Sequence, residues 1–198
     1  MKGEKGERRR TALLKIAYRM FIEQGYDSTS IDEIIAEADI AKGTYYYYFP
    51  SKEATLEAVI DMMLAEEAER AQAAVASPMP VPQKIVAVIL AMRPRQEESG
   101  ISTTLERSEN IVMHEKVGRR LIEVTAPLLT EVVQEGIAQG IFECTNVEER
   151  VRMILFLCQR IFDSGHFNER DIEVFVDTVE KTLGAQTGTM DFIKGLIQ

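Results

Sequence analysis

Along almost all of this 198-residue chain, apolar residues return every three or four positions, and no stretch alternates apolar with polar. That period belongs to helices, and with no alternating stretch to form a sheet the expected fold is all-α. From Arg8 to Gln24, Leu13, Ile16, Ala17, Met20 and Phe21 share one face, and Gly25 follows as a stop. Ser30 with Glu33 three residues on forms a capping box that opens a short helix to Ala38. Ser51 caps another, to about Ala76, and "SPMPVP" (Ser77 to Pro82) reads as a linker because prolines crowd it. Further helices are expected over Pro82–Met92, Ile101–Glu109 and His114–Gln139, the last with Pro127 inside it. Thr145 with Glu148 predicts a capped helix to Ser164, and Asn168 caps one more to Leu183.

Composition narrows the function. The longest apolar run, Ile85 to Met92, is eight residues, well short of the roughly 18 that span a bilayer. The charged start "MKGEKGERRR" leads into no apolar segment, so neither a secretory signal nor a membrane partner is expected and the chain reads as cytoplasmic. Cys144 and Cys158 offer no disulfide framework and no metal-ligand spacing. Neither a metal nor a cofactor is expected, for there is no phosphate loop, zinc pattern or dinucleotide fingerprint. "DSGH" (Asp163 to His166) holds triad residue types, but adjacent residues cannot form a relay, and the chain does not read as an enzyme. Net charge is −9, yet residues 1–52 carry nine basic against eight acidic residues and the remainder fourteen against twenty-four. The basic end is where a polyanion would dock.

One run stands apart: "KGTYYYYF", Lys42 to Phe49. Aromatic propensity alone favours a strand, but Pro50 and the helical flanks favour a short helix. At about 100° per residue, Tyr45 and Phe49 define a buried side, Gly43 and Tyr47 point away from it, and Tyr46 and Tyr48 lie on the flanks. With Ile31–Ala38 and the "DIA" connection this makes a helix-turn-helix, whose second helix suits a major groove. The spacing alone also fits a three-helix bundle with an aromatic surface and no ligand.

The ordered series Ala17, Phe21, Gly25, Tyr26, Thr29, Ser30, then Ile34, Ala36, Ala38, then "KGTYYYYF" and "SKE", resembles the DNA-binding domain of the TetR family of bacterial transcriptional regulators. The resemblance implies a three-helix DNA-binding domain over 7–67, with its helix-turn-helix at about 31–50. A larger helical ligand-binding and dimerisation domain would occupy 68–198. It sets Thr29, Ser30, Lys42, Gly43, Thr44, Tyr46, Tyr47 and Lys52 against DNA, with Ser30 and Lys52 on phosphates. Tyr45 and Phe49 become core. Three positions depart from the pattern. Asp39 replaces the turn glycine, Ala41 replaces a serine that would cap the groove helix, and Thr55 replaces a leucine, which should slightly weaken the packing of the fourth helix.

The implied function is a ligand-responsive repressor that binds a palindromic operator in double-stranded DNA as a homodimer and is released by a small lipophilic effector. The rival is a DNA-bound scaffold or activator that recruits a protein and senses no small molecule. Methionine-rich apolar positions suit a pocket, and Met92, Met113, Val117, Met153, Phe156 and His166 are its candidates. The last two long helices are the expected dimer interface, through Leu155, Phe162, Phe175, Val179 and Leu183.

Overall fold

The computed structural model describes residues 2–105, 111–162 and 167–195. Among them are nine α-helices and no strand. These are α1 (Lys2–Gln24), α2 (Ile31–Glu37), α3 (Lys42–Tyr48), α4 (Lys52–Val75), α5 (Val81–Ala91), α6 (Ser99–Leu105), α7 (Ile111–Ala138), α8 (Val147–Phe162) and α9 (Glu169–Leu183). Short 3-10 turns occupy Gln96–Glu98 and Asp191–Gly195. No helix among the described residues is long and apolar enough to cross a membrane.

The chain divides into two compact units, one containing the residues up to Glu66 together with Pro94–Val117, the other Glu67–Arg93 together with Gly118 onward. In the first, α1 packs on α2 and α6, and α2 on α3. Its interior holds Leu13, Ala17, Phe21, Ile34, Tyr45, Phe49 and Val59, the inward stripes that helical spacing predicts. Stretch 94–98, which reads in sequence as a polar interruption, carries a buried carboxylate. Glu98 is 2% exposed; it accepts from the Tyr18 hydroxyl at 2.8 Å and from the Arg95 backbone N–H at 2.6 Å. These bonds replace the water that the carboxylate gives up on burial. Arg95 in turn pairs with Glu66 of α4 at 3.4 Å, and Lys116 of α7 with Glu57 of α4 at 2.6 Å.

In the second unit, Lys84 of α5 is buried and meets Glu135 of α7 at 2.7 Å. Next to it on α7, Gly136 leaves room for the Phe142 ring and for Val81, whose Cγ1 would lie 2.9 Å from an added Cβ. Here α9 packs on α8 and on the C-terminal 3-10 turn. Glu180 fixes that last segment by accepting from the backbone N–H groups of Gly188 (3.0 Å) and Met190 (2.7 Å). Ile172, Val176 and Met190 form the apolar contact beneath.

Burial, reinforced by the Glu98 carboxylate, pushes the Tyr18 phenol up to about 12, and burial pushes Tyr26 up to about 12. An unfolded tyrosine ionises near 10, so between pH 10 and 12 the unfolded chain has released protons that the folded chain still holds. Stability is therefore full below pH 10 and falls as pH rises to 12. Alkaline unfolding should show this loss, and Tyr18→Phe should reduce it.

Candidate nucleic-acid interface

Two short helices, α2 and α3, set between the longer α1 and α4, fix the geometry of the basic end. The Ser30–Glu33 box is present in both directions: the Glu33 N–H donates to Ser30 Oγ at 3.2 Å, and the Ser30 N–H donates to Glu33 Oε2 at 2.7 Å. After α2 the chain turns through Asp39, whose φ of +49° is the left-handed conformation that a short polar side chain tolerates. Helix α3 then begins behind Ala41, with no side-chain cap.

On α3 the rear and the front separate cleanly. Tyr45 and Phe49 are 0% and 2% exposed, whereas Tyr47 is 82% and Tyr46 43% exposed. Gly43 is exposed, and a Cβ built on it meets nothing within 4 Å, so a duplex could approach the backbone there. Lys42 is exposed and Thr44 half-buried. The Lys42 ammonium donates to Asp32 Oδ1 at 3.0 Å, and that bond raises its pKa. Both partners are solvated, so the pair is weak and a phosphate or base edge can displace it. Tyr47 and Tyr48 meet edge to face at 5.0 Å, which stiffens the aromatic front. Lys52, at the start of α4, lies 4.3 Å from the Tyr26 ring centroid and donates to the Asp27 carbonyl at 3.3 Å. Lys42, Gly43, Thr44, Tyr46, Tyr47 and Lys52 are thus at or near the surface.

The TS pair is different. Thr29 is fully buried, and its hydroxyl lies within hydrogen-bond reach of the Gly25 carbonyl (2.8 Å) and the Met20 carbonyl (3.3 Å). It closes the turn after α1 and cannot touch DNA. The Ser30 hydroxyl donates to Glu33 Oε2 at 2.7 Å, so its proton serves the cap, with a carboxylate where a phosphate would come. Thr55 also departs from expectation. It is fully buried, with Oγ1 2.5 Å from the Tyr45 hydroxyl, and it donates to the Ser51 carbonyl at 3.1 Å. It has one proton, so the tyrosine donates to it. Thr55 satisfies the buried Tyr45 phenol of α3 rather than loosening the packing of α4.

The pocket and dimer candidates fall as follows. Met92 is buried in the second unit, Met113 and Val117 are half-buried in the first, and Met153 and Phe156 are 66% and 56% exposed on α8. Leu155, Phe175, Val179 and Leu183 are 2–9% exposed, so they are core of the chain itself. A side chain already packed internally cannot also face a second copy. The outward apolar residues of these two helices are Met153, Phe156 and Leu157 on α8 and Val174 (58% exposed) on α9. The Phe162 side chain and the stretch Asp163–His166 lie outside the described residues.

Comparison with known proteins follows this division. A family model described as bacterial regulatory proteins, tetR family, matches residues 13–59. The uncharacterized HTH-type transcriptional regulator YuxN of Bacillus subtilis is 50% identical over 44 residues, which are 22% of this chain and 15% of YuxN. The chain spans less than a third of the length of the curated relatives matched at 37% identity or more. The HTH-type transcriptional regulator UidR of Escherichia coli K12 is 28% identical over 81% of this chain and 68% of UidR. Among solved structures, RolR in complex with resorcinol superposes with a TM-score of 0.71 at 17% identity, covering 97% of this chain and 95% of RolR, a likeness of fold. Buried Tyr45 and Phe49 and the exposed Tyr47 all lie within the matched residues 13–59, so this segment is similar to the tetR family of bacterial regulatory proteins, and the chain shares its all-helical fold with RolR.

Proposed function

We propose that the protein is a DNA-binding transcriptional repressor, which reads a palindromic duplex as a homodimer and is released by a small lipophilic effector. The observation that carries this reading is the two-sided α3. Tyr45 and Phe49 lock its rear, while Lys42, Gly43, Tyr46 and Tyr47 are exposed on its front, where a Cβ built on Gly43 meets nothing within 4 Å. Side chains in that position reach base edges, and Lys52 beside them suits a phosphate. The dimer is supported by the outward apolar stripe of α8, since a two-fold protein matches a two-fold site with half-sites about 34–36 Å apart. The effector is supported by RolR, whose structure holds resorcinol within the same fold. An effector that weakens DNA binding by some factor must itself be bound more weakly on DNA by that factor.

Selection of bound fragments from random or genomic DNA tests the reading and returns the symmetry of the site. Against the selected duplex, Tyr47→Ala should lower affinity about tenfold, equivalent to about 1.4 kcal/mol, with the melting temperature unchanged because the side chain is exposed. Equal affinity of variant and parent would take Tyr47 out of the interface. Selection that enriches no sequence would overturn the proposal.

A further inference from the structure

We infer that the first turns of α1 form a second DNA-backbone contact beside the groove helix, with Arg9 as its phosphate-binding side chain. This rests on the reading of α3 as the groove helix. The family match begins at residue 13, yet α1 already runs from Lys2. The helical stretch ahead of the match carries Lys2, Lys5, Arg8, Arg9 and Arg10 against Glu4 and Glu7, in a chain whose net charge is −9.

Two contacts fix where this stretch lies. The Arg10 guanidinium sits over the ring of Phe49, 5.2 Å from its centroid, at the C-terminal end of α3. One turn earlier, a Cβ built on Gly6 would lie 3.9 Å from the Tyr48 hydroxyl, so the α1 backbone passes against that ring. Tyr48 in turn packs on the outward Tyr47. The path from α1 to the exposed front of α3 is thus two side chains long. Any duplex that covers Tyr47 brings its flanking strand toward these turns.

Arg10 is committed to Phe49 and, at 3.9 Å, to Glu7. Arg9, one position before it, is turned about 100° away. It is exposed, and among the described residues it has no carboxylate within ion-pair distance. In the sequence, positions 2, 5 and 9 are basic at i, i+3 and i+7 spacing. Guanidinium against phosphate is a strong, sequence-blind contact, and it fits a stripe flanking a reading helix rather than entering the groove.

The test uses the full chain and two duplexes of equal length, the selected site and its scrambled version, with dissociation constants measured between 50 and 200 mM salt. Arg9→Ala should reduce the slope of log affinity against log salt by about one for both duplexes. Between those salt limits it should lose about three- to fourfold less affinity than the parent does. Arg9→Lys should restore the slope. Arg119→Ala on α7 makes the same change in net charge and should leave the slope alone. A parental slope in Arg9→Ala, or an equal fall in Arg119→Ala, would overturn the inference while the α3 reading stands. A parent that binds neither duplex would sink both. Unchanged circular dichroism and melting temperature confirm that Arg9→Ala, a surface change, reports on binding.

Discussion

Phe156→Glu should leave the fold intact and yield a monomer. Met153, Phe156 and Leu157 stand at i, i+3 and i+4 on the outer face of α8, 66%, 56% and 41% exposed, with Glu149 and Arg160 continuing the stripe at its ends. Fully burying one such side chain contributes about 1.5–3 kcal/mol, and two-fold symmetry doubles every contribution. A carboxylate at Phe156 therefore removes two apolar contacts and brings two like charges into the same desolvated patch. Sedimentation at a concentration where the parent is dimeric should show single chains. Affinity for the palindrome should fall steeply, while affinity for one half-site stays as it was. Leu155→Glu, one position away, should instead abolish folding, because Leu155 is buried within its own chain. A Phe156→Glu chain that remains dimeric with full palindrome affinity would remove α8 from the proposed interface.

The neighbouring pair Leu155 and Phe156 also marks how far the sequence could be read. Spacing identified α8 and α9, but α8 is apolar on two faces, and periodicity does not say which face meets its own chain and which meets solvent or a partner. The core of the chain took Leu155, Phe175, Val179 and Leu183. Signals confined to a few residues were legible: the Ser30 capping box and the Asn168 cap are both in place, and Tyr45 and Tyr47 face opposite ways as a 3.6-residue period requires. The expected Thr145 cap failed for a local reason. The chain enters α8 through Asn146 at φ +52°, and the Thr145 carbonyl accepts from Arg150 Nε at 2.7 Å. Glu98 and Thr55 were illegible because their partners are distant or unconventional. Glu98 owes its burial to a helix 80 positions earlier, and Thr55 answers a hydroxyl that the usual leucine would leave alone. Thr29 shows the same limit, since a threonine beside a capping serine looks like surface until its hydroxyl is seen to close the turn after α1.

Thr55→Leu should destabilise the protein by about 2 kcal/mol, although it places an apolar side chain at a fully buried position. The Tyr45 hydroxyl donates to Thr55 Oγ1 deep in the first unit. Removing the acceptor leaves a desolvated donor unsatisfied, at a cost of about 1–3 kcal/mol, and the extra volume adds strain in a filled site. Tyr45→Phe should cost less, because Thr55 keeps its bond to the Ser51 carbonyl at 3.1 Å. If the hydroxyl pair is the cause, Tyr45→Phe combined with Thr55→Leu should be more stable than Thr55→Leu alone, with a coupling of about 1 kcal/mol in denaturant unfolding. Additive effects would show instead that volume alone decides. The consequence reaches the proposed interface, because this bond ties the rear of α3 to α4 and helps hold Tyr47 where a groove would meet it. Thr55→Leu should therefore weaken binding to the selected duplex under conditions where the chain is still folded, and the double variant should recover part of that loss.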